Sequence, residues 1–81
     1  MPYATISNQT IEAIGLTADE SNAAARRDLG ANCPWLDDLQ TLPCTPALYD
    51  DVETRGGAIS WCHLSDGTLC TLDEYADAIQ S

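Results

Sequence analysis

The chain has 81 residues, thirteen acids against Arg26, Arg27 and Arg55, no lysine, and a formal net charge of −10. A surface of that sign repels nucleic acid and anionic membranes and attracts basic proteins, with association that weakens as salt screens charge beyond a Debye length of about 8 Å. The length leaves room for a single globular domain over residues 1–81, and a hydrophobic content of 44% argues for a packed interior over disorder.

Residues Asn8 to Ile14 set Ile11 and Ile14 on one helical face, and Gly15 followed by Leu16 has the form of a helix stop. The alternative is an extended segment, because PYATIS, residues 2–7, carries β-branched residues suited to an edge strand. Thr17-Ala18-Asp19-Glu20 is a capping box, which predicts a helix from Ala18 to about Leu29 before Gly30, with an alanine-rich inner face.

Pro34 to Leu42 places Trp35, Leu36, Leu39 and Leu42 at one-face spacing and predicts an amphipathic helix ended by Pro43. Thr45-Pro46 then opens a short helix to about Val52, with Leu48, Tyr49 and Val52 turned inward, before Gly56-Gly57 breaks the pattern.

Ala58 to Leu64 alternates, and Asp66-Gly67 signals a tight hairpin turn. With those two residues at the tip, Ser65 pairs with Thr68, Leu64 with Leu69, His63 with Cys70 and Cys62 with Thr71. Thr71-Leu72-Asp73-Glu74 is a second capping box, opening a final helix with a stripe of Leu72, Tyr75, Ala76 and Ile79. The expected architecture is a small α+β domain: four or five short helices packed on a two-stranded antiparallel β-hairpin (about 58–64 and 68–71), followed by a C-terminal helix.

MPYATISNQT has neither a basic start nor an apolar run, and no stretch approaches a membrane span, so the expected location is the cytoplasm, with Cys33, Cys44, Cys62 and Cys70 as reduced thiols. Zinc would draw on Cys62, His63 and Cys70, but no Cys-x-x-Cys knuckle occurs, and in the register above Cys62 points away from the other two. A thiol–imidazole nucleophile faces the same carboxylate-rich field, which opposes thiolate formation. No phosphate loop or calcium loop is present. The expectation is a protein that is not an enzyme, with no cofactor and no metal.

The acids themselves form four doublets. Asp19-Glu20, Asp37-Asp38 and Asp73-Glu74 fall in or near first helical turns, where capping and the helix dipole favour them by about 0.3 to 1 kcal/mol each. Asp50, Asp51 and Glu53 fall later in their helix, where the dipole disfavours them, and only Arg55 tempers their mutual repulsion. Acidity of this kind serves solubility, adaptation to high salt, or a basic partner. Arg26 and Arg27 read as internal ion-pair partners for neighbouring helices.

In size, charge and lack of catalytic motif the chain resembles phage or mobile-element inhibitors that occupy nucleic-acid-binding grooves, anti-CRISPR proteins and antirestriction DNA mimics among them. The resemblance is one of overall character and transfers no individual residues. It implies a decoy that binds a basic, nucleic-acid-handling protein complex without touching nucleic acid or membrane, through Asp50, Asp51 and Glu53, with Asp37, Asp38, Asp19 and Glu20 as supporting charge. The alternatives are a structural or adaptor protein, such as a phage morphogenesis or regulatory component, binding through an apolar patch at Trp35 or Trp61, and a zinc-stabilised module.

Overall fold

A computed structural model describes residues 1–7 and 10–80. The elements in chain order are β1 (Tyr3–Ser7), β2 (Thr10–Gly15), α1 (Ala18–Leu29), β3 (Gln40–Pro43), α2 (Pro46–Arg55), β4 (Cys62–His63), β5 (Leu69–Cys70) and α3 (Leu72–Gln80). The strands form two antiparallel sheets, a three-stranded one ordered β2-β1-β3 and the β4-β5 hairpin. This is the α+β class implied by the sequence, but with three α-helices among the described residues in place of four or five, and with a second sheet that the sequence reading lacks.

The two faces of the larger sheet differ in chemistry, and each selects its own cover. Thr5 pairs with Ala13 on one side and Thr41 on the other, so these three share a face. There Thr5 Oγ1 lies 2.8 Å from both Ser21 Oγ of α1 and Thr41 Oγ1. Ser21 also donates to the Ala13 carbonyl, and Asn22 Nδ2 donates to Thr41 Oγ1. Small residues let α1 lie close: Ser21 and Ala25 are fully buried, and a Cβ on Gly15 would stand 2.6 Å from the Ser21 backbone nitrogen.

The opposite face is apolar. Ala4, Ile6 and Ile11 cluster with Cys44, Leu48 and Leu69, and Ile14, Leu42, Tyr49, Val52, Ile59 and Trp61 pack around them. The larger sheet thus lies between α1 on one side and α2 with the hairpin on the other. The outer edge of β2 is closed by the chain after α2: the Ile11 N–H donates to the Gly57 carbonyl at 3.2 Å.

The helix expected from Asn8 to Ile14 is overturned over its described part, which is strand β2; Asn8 itself lies outside the described residues. The reason is a β-bulge. Thr5 pairs with Ala13, but Ile6 pairs with Ile11, so Glu12 is an extra residue in β2. In a regular strand residues three apart point to opposite faces, and the bulge returns both Ile11 and Ile14 to the core face. A spacing that mimics a helix is therefore made by a kinked strand.

The helix expected from Pro34 to Leu42 is also overturned. A single 3-10 turn, Leu36–Asp38, precedes β3, which pairs with the free side of β1 as Thr41 with Thr5 and Leu42 with Ala4. Unpaired backbone groups along β1 outweigh a local helical period, because a buried amide without a partner costs about 1 to 3 kcal/mol.

Three capping sites form as the sequence implies. Thr17 Oγ1 accepts the Glu20 N–H, and Gly30 closes α1 with its N–H on the Arg26 carbonyl. Thr45 Oγ1 accepts the Leu48 N–H at the start of α2, which runs one turn beyond the expected end to Arg55. Thr71 Oγ1 accepts the Glu74 N–H, while Glu74 accepts the Thr71 N–H.

The hairpin is shorter than expected and its register is displaced by one residue. The Leu64 N–H donates to the Thr68 carbonyl and the Gly67 N–H to the Leu64 carbonyl, with Gly67 at φ 90°. The loop is thus Ser65-Asp66-Gly67, three residues with glycine in the left-handed position. Cys62 consequently pairs with Cys70, and His63 with Leu69.

Candidate functional site: the acidic faces of α2 and α3

Because α2 extends to Arg55, Asp50, Asp51 and Glu53 lie in its second and third turns, and its first turn holds no acid. Asp50 and Glu53 are exposed and Asp51 is half-buried. Among the described residues no arginine forms an ion pair with a carboxylate. Arg26, expected to bridge helices, instead donates from Nε to Asn22 Oδ1 within α1 at 2.8 Å.

Acids from different elements act on common neighbours. Glu53 of α2 and Glu20 of α1 both approach Tyr49, whose hydroxyl is pushed above its ordinary pKa first by partial burial, then by Glu53, then by Glu20. On the other side of α2, Asp51 and Arg55 share a groove with Leu72 and Asp73 at the start of α3. Asp19 lies exposed in the first turn of α1, and Glu20 accepts the Leu16 N–H there. Asp37 and Asp38 are exposed in the 3-10 turn, and no described contact joins them to the α2 acids.

Asp73 is absent from the sequence-based set because its doublet is accounted for by capping. Only Glu74 does that work: it sits at the third helical position and points back, while Asp73 one residue earlier is exposed. The signal was available in the capping-box spacing, which assigns the return hydrogen bond to a single residue of the doublet.

The thiols and the imidazole assemble differently from the expected register. His63, expected beside Cys70, is exposed on the solvent side, edge-on to Trp61 at 5.1 Å between ring centres. Cys62, expected to point away, faces Cys70. Burial and then the Glu74 carboxylate push Cys44 up to about 11 and also raise Cys70, with Cys62 a smaller cause for the latter. Both buried thiols are thus held in the weakly nucleophilic neutral form. Among the described residues no group of three or more His, Cys, Asp or Glu side chains converges as a metal site.

No protein-family model, curated protein or solved structure matches the chain. No helix among the described residues is long and apolar enough to cross a membrane.

Proposed function

We propose that the protein is a small acidic, non-enzymatic inhibitor or decoy that binds a basic, nucleic-acid-binding surface of a partner protein, in the manner of phage anti-defence proteins. The observation that supports this reading most is the position of Asp50, Asp51 and Glu53. Asp50 and Asp51 stand mid-helix and Glu53 in the last turn of α2, where the helix dipole opposes it, and no arginine forms an ion pair with them among the described residues. Capping gives no account of Asp50 and Asp51, and Glu53 serves the fold through its hydrogen bond with Tyr49, whereas a partner lined with Lys and Arg gains charge-assisted hydrogen bonds from all three.

The mechanism is occupation. Carboxylates carried on rigid helices stand in for phosphates, and basic side chains that would otherwise engage a nucleic-acid backbone are engaged by the protein instead. No bond is made or broken. Asp19 and Glu20 at the start of α1 extend the negative surface toward Glu53 through Tyr49, and Asp73 extends it past Asp51. Asp37 and Asp38 act only as distant supporting charge.

Replacing Asp50 and Asp51 together by asparagine tests the reading. Association with a basic partner weakens by about tenfold or more, or roughly 1.4 kcal/mol, while the unfolding free energy changes by no more than surface substitutions produce, about 0.5 kcal/mol. Unchanged association, or a large loss of stability, would show that these carboxylates serve the fold or the solvent.

A further inference from the structure

α3 carries the clearest apolar stripe in the chain, and the sequence implies that it packs inward. In the structure Leu72, Tyr75 and Ile79 are 52%, 38% and 66% exposed. At one end of the stripe Leu72 shares the groove that holds Asp51 and Asp73. At the other, Tyr75 and Ile79 form a shallow depression with His63, Leu64 and Asp66 of the hairpin. Asp77, one turn beyond Asp73, is exposed on the same helix. The result is an apolar centre bordered by carboxylates, the arrangement of a contact patch with a dry middle and a charged rim.

Charge selects the occupant. A second copy of the chain, also at −10, would set one rim of carboxylates against another. We propose that the α3 face is the docking site for an amphipathic, basic helix of the partner protein, whose apolar side chains cover Tyr75 and Ile79 while its Lys and Arg residues meet Asp51, Asp66, Asp73 and Asp77. Such a helix matches a groove on both counts, through apolar anchors and through sign of charge. The inference rests on the proposed basic partner and adds where, and by which second force, it is held.

The probes are two fluorescent synthetic peptides of equal positive charge, one an amphipathic Leu/Lys helix and the other Arg/Ser with no apolar residue. The amphipathic peptide binds about tenfold tighter; Ile79→Asp, at a side chain 66% exposed, removes most of that advantage with the protein still folded, and Tyr75→Ala, at one 38% exposed, removes more of it at some cost in melting temperature. Asp73→Asn with Asp77→Asn weakens both peptides. Equal affinities that ignore Tyr75 and Ile79 overturn the docking site while leaving the basic-partner reading intact; failure of both peptides to bind counts against both. Sedimentation showing a dimer that Ile79→Asp dissolves would give the face to a second copy and overturn the proposal.

A separate observation carries a second inference. Cys62 and Cys70 are direct cross-strand partners. Paired antiparallel residues have Cα atoms about 4.5 to 5.5 Å apart, inside the range of about 4.4 to 6.8 Å that a disulfide spans. We infer that the pair is a closable dithiol. With oxidised glutathione, the more accessible Cys62 attacks as thiolate and releases one glutathione; Cys70, held neutral by burial but set directly opposite, then loses its proton in the slower step and displaces the second from the mixed disulfide. Two thiols and one disulfide become one protein disulfide and two glutathione thiols.

Peptide mapping by mass spectrometry after incubation with oxidised glutathione finds Cys62 linked to Cys70, and Cys62→Ser abolishes the link. A persistent glutathione adduct on Cys62, a link to Cys33 instead, or no reaction at all would overturn the assignment.

Discussion

Alanine at Gly57 lowers the melting temperature by about 12 to 24 °C, from a loss of about 3 kcal/mol at about 4 to 8 °C per kcal/mol for a domain of this size. The added Cβ would fall 1.9 Å from the Ile11 carbonyl oxygen, which is backbone and has no rotamer by which to escape. Relief requires the chain after α2 to back away from β2, and that movement breaks the hydrogen bond from the Ile11 N–H to the Gly57 carbonyl. Ile11 is itself a member of the core, so the disturbance reaches Ile6 and Leu48. A domain of this length has about 4 to 12 kcal/mol of stability in all, so the loss is a large share of it. Thermal unfolding by circular dichroism, with exchange of the Ile11 amide as a local probe, measures it. A variant as stable as the parent would mean that Gly57 does not approach β2 as closely as described.

Glu74 is the second position of large effect, because one carboxylate joins three elements. It accepts the Thr71 N–H at 3.1 Å and the Thr45 hydroxyl at 2.5 Å. Thr45 in turn caps α2 through the Leu48 N–H, and its own N–H donates to the Leu69 carbonyl of β5. Glu74→Ala therefore loosens the starts of α2 and α3 together and costs about 2 to 3 kcal/mol, the scale of hydrogen bonds to a charged group. Glu74→Gln keeps the acceptor and costs less.

The two substitutions separate further at alkaline pH. Cys44 is raised from 9.0 to about 11, first by burial and then by the Glu74 charge, and Cys70 is raised by the same two causes in the same order. A thiol held neutral in the fold contributes stability that is complete below its unfolded value near 9.0 and is lost as pH rises through about 11. Glutamine at position 74 removes the smaller of the two causes, so the folded thiol values fall toward the unfolded one and the alkaline loss shrinks. Denaturant titrations across that window show it; an alkaline loss as steep in Glu74→Gln as in the parent would remove Glu74 from the account of the thiols.

How far these features are legible in the sequence follows from how local their causes are. The Thr17 and Thr71 caps and the Thr45-Pro46 start depend on residues three or four apart and form where the sequence places them; the Thr71 box is reciprocal, whereas Glu20 turns back to the Leu16 N–H and not to Thr17. β2 is not legible, because the bulge at Glu12 gives a strand the i, i+3 spacing of a helix. β3 is hidden for a different reason: its partner is β1, more than thirty residues earlier, and nothing around Trp35 to Leu42 announces that distant edge. The hairpin turns on one residue. Asp66-Gly67 marks the turn correctly, but Asp66 accepts the Thr68 N–H and Gly67 takes the left-handed position of a three-residue loop, which exchanges the cysteine partners.

The candidate site was legible in part. Asp50, Asp51 and Glu53 lie on α2 as expected, but the extension of α2 to Arg55 sets Asp50 and Asp51 mid-helix and leaves only Glu53 in the last turn, against the dipole. Their grouping with Glu20 and Asp73 depends on how α1 and α3 are set against α2, which no local pattern encodes. The apolar reading moves as well. Trp61 packs on the core and Trp35 is 41% exposed, while α3 gathers three exposed large apolar side chains, Leu72, Tyr75 and Ile79, on one helix.

Capture from a nuclease-treated lysate on the immobilised protein, eluted stepwise with salt and in parallel with a double-stranded DNA fragment, bears most directly on what the acidic surface is for. The retained proteins are expected to be basic and nucleic-acid-binding, to be displaced by both salt and DNA, and to be fewer on the Asp50→Asn, Asp51→Asn protein. Retention that persists at high salt, ignores DNA and is the same for the neutralised variant would contradict the decoy function.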